Sequence, residues 1–507
     1  MYSENSTQVA LVIALYLAIT FLFAFISGRK TKKGDFMEEY FVGGRQIGPW
    51  VLGLTWIATM ASGGTFIGVP GLLHSYGWSV FLWISGFMVV ITTGFGILGK
   101  RIGQIGRKTG ALTFPDLLRD RFESPTIGVL SALLIVILYL AFMVAQYIAG
   151  ARVLEAVIGL PYHWGVIGFA LSVALYTAYG GFRAVAWTDS FQAIVMLVGV
   201  ILTAWFAVNL AGGLEKVNAE LTRQSTELVS GPGPDNFLPL VAAISFFILM
   251  PLSQLGQPAL VSRFLTFTNT RALKRAALLT GLYVCLMYPL IMLVGVTSRV
   301  LLPEIESPDH ALTATVMMAL PAALAGFIIA APVSAIMSSL SSFLLVSAGA
   351  LVRDVYQRNI NPELSGDKAK RLTHVMTFAI TLVGVALALN PPQYLQLIVV
   401  FAGAGLGATF AWPTILGIFW PRMNRLGCLA GIIGGFGSFV IQYVTLGGSS
   451  VLGLHPFVWS FLFSLVCCVV GSRLAPRQSD EVLEIYFGER RRRNAPGHGA
   501  GEAVQRS

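Results

Sequence analysis

Four hydroxyl side chains fall within the eight residues IMSSLSSF (336–343), inside an apolar run, AGFIIAAPVSAIMSSLSSFLLVSAGALV, where Ser334 and Ser347 continue the pattern. An unpaired hydroxyl in an apolar medium costs roughly 2–7 kcal/mol, so each of these serines needs a partner. A helix places residues i, i+3 and i+4 on one face. Ala335, Ser338 and Ser339 therefore form one patch, offering a carbonyl and two hydroxyl oxygens, and Ser338, Ser341 and Ser342 form a second that overlaps it. Oxygens of this kind suit a hard monovalent cation, and carbonyls freed where another helix unwinds supply the remaining ligands. Ala58 and Ala61, just before the Gly63-Gly64 pair, are the natural donors. The alternative is local: a serine bonds the carbonyl four residues back, or packs helix against helix.

The elements that position these serines follow from composition. Of 507 residues, 55% are hydrophobic and 11% charged, whereas a soluble chain carries about 25% charged residues. Apolar segments of about the length needed to cross a bilayer recur near 9–27, 49–70, 78–98, 127–149, 165–179, 191–210, 237–260, 276–296, 322–352, 373–389, 397–420, 426–445 and 458–471. This pattern predicts an all-α polytopic membrane protein with 13 transmembrane helices. The first segment lacks a basic region before it and is followed by GRKTKKGD, so it reads as a retained helix rather than a signal peptide. Cys285, Cys428, Cys467 and Cys468 lie in or beside apolar segments without metal-ligand spacing and read as packing residues.

The net charge of +10 is not the mark of a nucleic-acid binder, because of where it sits. Thirty of the 34 Lys and Arg residues fall in alternate connections, starting after the first segment, and the intervening ones hold only Arg152, Lys216, Arg223 and Arg299. Such asymmetry puts the amino terminus outside and the carboxyl terminus in the cytoplasm. Residues 472–507 read as a basic, mostly disordered tail with one short amphipathic helix near Asp480–Phe487. Its Arg490–Arg493 run is either solvated or in contact with anionic lipid.

Two segments are interrupted at mid-span: the second at ASGGTFIGVPG (61–71) and the seventh at MPLSQLGQPAL (250–260), with Gly63 and Gly256 193 residues apart. A repeat of five helices is odd, so the second copy is inserted upside down relative to the first. Paired broken helices in inverted repeats point to a transporter's binding site, although Gly and Pro also serve packing and kinks in membrane helices. The predicted organisation is an extra helix and basic loop at 1–47, a first repeat at 48–212, an outer loop at 213–236, a second repeat at 237–420, and two further helices at 421–471.

At YFVGGR (40–45), YTAYGGFRAVAWTDSFQ (176–192), GQPALVSRF (256–264) and APVSAIMSSLSSFLL (331–345) the chain resembles the sodium:solute symporters, and the resemblance covers nearly everything after residue 40. It implies a LeuT-like core of five-plus-five inverted repeats, Na+ as the coupling ion, and a sodium site made of the Ala58, Ala61 and Ala335 carbonyls with the Ser338 and Ser339 hydroxyls. Some relatives bind a further sodium, which here would use Asp189, Ser338, Ser341 and Ser342. An acid within a membrane is functional by default, yet Asp189 also reads as the N-cap of a helix starting near Phe191, and both readings stand at this point.

Within the family, GTFIGVPG (64–71), GARVLEAVIGLPY (150–162) and FAWPTILGIFW (410–420) resemble the pantothenate carriers, while the GQP of the seventh-segment break looks more like the proline branch. The resemblance places a small organic solute, a carboxylate such as pantothenate, between the two breaks. Ser62, Gly63, Gly64, Thr65 and Phe66 would contact it on one side and Met250, Ser253, Gln254 and Gln257 on the other, with Gly403 and Ala404 leaving room. No Lys or Arg is expected at mid-membrane, and Arg152 is expected to pair with Glu155. Proline or a small monocarboxylate remains the alternative solute. A membrane-embedded enzyme is disfavoured because the six histidines are expected in loops or at helix ends with no catalytic cluster, and a non-transporting sensor stays open. The expected location is the bacterial inner membrane, in contact with lipid; the oligomeric state is left open.

Overall fold

The structure, a computed structural model, describes residues 2–29, 36–391, 395–446 and 451–494. Among them every regular element is helical, and the only β pairing consists of two isolated bridges. Ten helices are long and apolar enough to cross a membrane, and two shorter apolar ones, Pro49–Met60 and Leu240–Gly256, lie at the interruptions expected from sequence. Most of each expected apolar segment is helical, with residues 61–62 and 237–239 among the exceptions. Leu11, Leu15, Trp164, Trp205, Leu278, Leu282 and Val444 are all more than half exposed, as the lipid-facing side of a bundle requires.

The serine helix, Ala322–Gly349, lies at the centre of this bundle. It packs against the long helix Tyr162–Leu210, the amino-terminal helix Tyr2–Arg29 and helix Pro125–Ile158, and Ser334, Ser338, Ser339, Ser341, Ser342 and Ser347 are all buried.

Three expectations from sequence are corrected. The fifth and sixth apolar segments are not joined by a loop over 180–190 but run together as Tyr162–Leu210, bent at Gly181 (φ 62°, ψ −174°). No Pro or Gly follows Gly181 before residue 199, so helical bonding resumes at once; a Cβ at this glycine would also lie 2.9 Å from the Tyr40 ring. The second correction concerns the connection 213–236, which holds a helix of its own, Leu214–Gln224, seated through buried Val217 and Leu221 one turn apart. The third concerns the carboxyl-terminal helix, which runs over Asp480–Asn494, beyond the expected end at Phe487. The side chains of Arg490–Arg493 and the tail 495–507 lie outside the described residues.

The two interruptions have a common construction. In the first, Pro49–Met60 ends at Ala61 (φ −75°, ψ 116°) and the chain restarts through Gly64–Gly68 into Val69–Tyr76. In the second, Leu240–Ser253 passes through Gln254–Gly256 to Gln257 (φ −86°, ψ 105°) and restarts as Pro258–Arg263. One extended residue in each case uncouples the two halves. Pro258 cannot donate to the preceding turn, and Gly256 lies where a Cβ would be 2.5 Å from the Leu406 carbonyl.

Helix Pro125–Ile158 serves both interruptions. Gln146 Oε1 accepts the Gly63 amide at 2.8 Å, and the Tyr139 hydroxyl accepts the Ala259 amide at 2.7 Å. Seven residues apart, these two side chains lie on one face. A buried amide left without its acceptor costs about 1–3 kcal/mol. Gln146→Leu and Tyr139→Phe are therefore each expected to lower the melting temperature of the purified protein in detergent; wild-type melting of both variants would contradict this role.

Candidate functional site

The serine helix meets the first broken helix where its carbonyls are free. Ser338 Oγ donates to the Ala58 carbonyl at 2.8 Å and also lies 3.1 Å from the Ala335 carbonyl. Ser339 Oγ lies 3.0 Å from the Ala61 carbonyl, 3.2 Å from that of Thr59 and 3.5 Å from that of Ala58. The structure thus brings together all five groups of the expected first site, and all five residues are fully buried. Three carbonyls and two hydroxyls, with no ammonium or guanidinium among them, make a purely electron-donating set. Each hydroxyl has one proton and two lone pairs, so it can turn its oxygen toward a cation and direct its proton elsewhere. The Thr59 carbonyl is a sixth oxygen that helical spacing did not single out.

The second group of predicted residues is arranged differently. Asp189 Oδ2 accepts from Thr55 Oγ1 at 2.6 Å and from Arg263 Nη2 at 3.0 Å. The same Arg263 nitrogen donates to Ser342 Oγ at 2.7 Å, and Arg263 Nη1 donates to the Ala259 carbonyl at 2.8 Å. Asp189 and Ser342 are therefore joined through a guanidinium, while Ser341 donates to the Ser338 carbonyl at 3.0 Å and Ser338 belongs to the first group. Arg263, taken from sequence as part of a connecting loop, is only 2% exposed. It sits at the end of the short helix Pro258–Arg263, which the break at Gln257 turns inward. Nor is Asp189 an N-cap: it lies two turns inside the helix that restarts at Gly181.

Between the two interruptions lies a cavity of about 50 Å³. Ser62 and Thr65 line it from the first break and Met250, Ser253, Gln254 and Gln257 from the second, with Gly403 across from them. Gly63, Gly64, Phe66 and Ala404 do not line it: Gly63 packs on Ala149 and Gln146, and Gly64 faces the Gln396 amide and Val399. Gln396 and the aromatic walls Phe87, Phe142 and Phe343 were not anticipated. Gln396 is 2% exposed and its Oε1 has no hydrogen-bond partner among the described residues. It fell just outside an apolar segment begun at residue 397, and a lone amide beside such a segment was the available signal. The volume suffices for water and falls below the roughly 300–1,000 Å³ of ligand pockets.

No lysine or arginine lines the cavity, so the polar groups offered to a solute are neutral amides and hydroxyls. Arg152 pairs with Glu155 at 2.8 Å, as expected. His74 lies in the last turn of Val69–Tyr76, at a helix end as expected, and is buried there with Nδ1 3.1 Å from Ser298 Oγ. No group of three His, Cys, Asp or Glu among the described residues could hold a metal ion.

This geometry, a central helix of hydroxyls against two broken helices, defines a class of ion-coupled carriers, and comparison with known proteins gives the family. The sequence profile of the sodium:solute symporter family matches residues 40–435. The sodium/pantothenate symporters of Haemophilus influenzae and Escherichia coli are each 33% identical to this chain, over 480 and 473 residues; the matches cover 94% and 92% of it and 98% and 96% of those proteins. The sodium/proline symporter of Escherichia coli is 30% identical over 499 residues, covering 96% of each chain. Among solved structures, a substrate-bound, outward-open Na+-coupled sialic acid symporter aligns with a TM-score of 0.76 at 20% identity, over 93% of this chain and 99% of that one. Mhp1, a nucleobase-cation-symport-1 family transporter in a closed conformation, aligns with a TM-score of 0.58 at 15% identity, over 88% and 97%. The chain belongs to the sodium:solute symporter family. It is a sodium-coupled transporter of the LeuT-like fold and not an enzyme, and it is a multi-pass inner-membrane protein.

Removing one partner of a buried ion pair leaves an uncompensated charge and costs about 3–5 kcal/mol. Arg263→Gln is therefore expected to destabilise the protein strongly, and Arg263→Gln combined with Asp189→Asn to recover much of the loss. Thermal melting of the two purified variants checks this; a double variant no more stable than the single one would refute the pairing as the reason for either residue.

Proposed function

We propose that this chain takes up pantothenate with sodium by alternating access. In this reading thirteen helices cross the membrane, with the amino terminus outside and the carboxyl terminus in the cytoplasm, and 48–212 and 237–420 form inverted repeats. One observation carries the proposal: the oxygens of Ala58, Ala61, Ala335, Ser338 and Ser339 converge where the serine helix meets the first broken helix, beside a cavity lined by both breaks. A sodium ion held there joins the two helices and favours the form that accepts solute. Solute then favours closure across both breaks, and separation of the serine helix from the first broken helix on the cytoplasmic side releases the ion.

The solute assignment draws on the relatives at 33% identity, whose names specify pantothenate. Pantothenate's dimethyl group suits apolar walls such as Met250 and Phe343, and its amide, hydroxyls and carboxylate suit Gln254, Gln257, Gln396, Ser62 and Thr65. With no cationic side chain at the cavity, the sodium ion is the nearest countercharge to a carboxylate. That makes sodium binding and solute binding mutually favourable, which is the requirement for coupling.

We further propose a single coupling ion, since the place where Asp189 and Ser342 would contribute to a second sodium site holds the Arg263 guanidinium. A unit charge gains about 2.3 kcal/mol per 100 mV of membrane potential, but one sodium with one carboxylate carries no net charge across. Uptake of labelled pantothenate into proteoliposomes is then expected to require an inward sodium gradient and to be insensitive to an imposed inside-negative potential. Stimulation by that potential would mean a second ion. Absence of uptake, with proline or a small monocarboxylate transported instead, would displace pantothenate, and absence of saturable counterflow would favour a sensor.

Losing one oxygen from a charged site costs about 1.5–3 kcal/mol, or on the order of 10- to 100-fold in affinity. Ser338→Ala and Ser339→Ala are each expected to raise the half-saturating sodium concentration by that factor. Ser347→Ala, on the same helix but outside the cluster, is expected to leave it unchanged. Equal, small effects at all three positions would remove the site assignment.

A further inference from the structure

Away from the transport path, two adjoining cavities meet at the bend of the long helix. One, of about 450 Å³, is an apolar groove between the amino-terminal helix and the long helix, lined by Phe21, Ala24, Leu175 and Tyr176. The other, of about 210 Å³, is lined by Arg183, Lys370, His374 and Glu39 around the short helix Phe36–Val42. Tyr179 and Gly180 line both, so the two lie side by side.

The polar cavity is incompletely satisfied. Arg183 and Glu39 lie 3.1 Å apart, but without the alignment of a hydrogen bond. Lys370 is exposed and has no ion pair among the described residues, and His374 Nε2 has no hydrogen-bond partner among them. The Tyr179 ring, 65% exposed, stands 4.7 Å from the His374 ring at the junction. Two cations and an imidazole face one carboxylate, directly beside the apolar groove. An aromatic at such a boundary is characteristic of the membrane interface, and a basic crevice between helices at the cytoplasmic face has the chemistry of an anionic headgroup site.

We propose that these cavities form one site for an anionic phospholipid of the cytoplasmic leaflet, its phosphate held by Lys370, Arg183 and His374 and an acyl chain lying in the groove beside Leu175 and Tyr176. The leaflet assignment rests on the orientation proposed above; the site itself does not, since it is defined by residues and measured in detergent. An acyl groove alone would hold any lipid. The basic crevice makes the site selective for charge, and because it joins the amino-terminal helix, the short helix Phe36–Val42 and helix Gly366–Ala388, a bound lipid braces an element that lies outside the repeats.

Native mass spectrometry of the purified protein, titrated with phosphatidylglycerol or phosphatidylcholine of matched chains, tests this. About tenfold preferential retention of one phosphatidylglycerol is expected. Lys370→Gln with His374→Gln should abolish the preference, while Lys368→Gln, exposed on the same helix but outside the crevice, should leave it intact. Equal retention of the two lipids by the wild type would make the groove an unselective lipid contact and overturn the proposal. So would a preference that survives the double variant. Displacement of the lipid by millimolar glycerol phosphate would also overturn it, by showing that the crevice takes a soluble phosphate without the acyl chain. A wrong orientation leaves all these results unchanged and is read separately, by labelling Ser230→Cys from the outside of intact cells.

Discussion

The structure depends on one constraint: backbone groups released by breaking a helix inside a membrane must find partners where no water is available. Two helices are broken here, and each break leaves amides on one side and carbonyls on the other. The amides are answered by fixed side chains of a single neighbour, Gln146 for Gly63 and Tyr139 for Ala259. The carbonyls of the first break are answered by two serine hydroxyls of the central helix. The amide side is therefore permanent, whereas the carbonyl side is met by rotatable groups that can serve either a hydrogen bond or a cation. In the proposed function, this asymmetry is what would let one break act as a joint whose strength varies with sodium.

A ligand shifts a conformational equilibrium only by the difference between its affinities for the two states. A cation bound between the serine helix and the first broken helix meets that condition, because its ligands come from both helices and separate when they part. Arg263 is the permanent counterpart. Its guanidinium ties the half of the second broken helix after Gln257 to Asp189, Thr55 and Ser342 without leaving the protein. In the proposed reading the two broken helices are linked to the same central helix in different ways, one through an exchangeable ion and the other through the Arg263 guanidinium.

How much of this was legible in the sequence follows from the range of the signals. Hydropathy is a property of whole segments and gave the helical class, while the Gly and Pro residues within two of those segments gave the positions of both interruptions. The first oxygen cluster was legible because helical spacing fixes Ala335, Ser338 and Ser339 on one face, and because the Gly63-Gly64 pair marks where carbonyls of another helix come free. Arg263 was not legible: in a list of loop charges it looks solvated, and its burial depends on the break at Gln257 turning a six-residue helix inward. Gln146, Tyr139 and Gln396 were missed for a related reason. Each is a lone polar residue in or beside an apolar run, and its importance lies in a partner more than eighty residues away or in a wall contributed by another helix. The run from Arg183 through Asp189 was read as a loop because it carries charge, but its composition contains nothing that stops a helix once Gly181 has turned the chain.

The claim that sodium joins the serine helix to the first broken helix is tested most directly by hydrogen–deuterium exchange in sodium compared with equimolar potassium. Peptides spanning 55–66 and 332–345 are predicted to become protected together in sodium, half-maximally at one common concentration, with no change in potassium. Protection of only one of the two, or equal protection by both ions, would contradict the account.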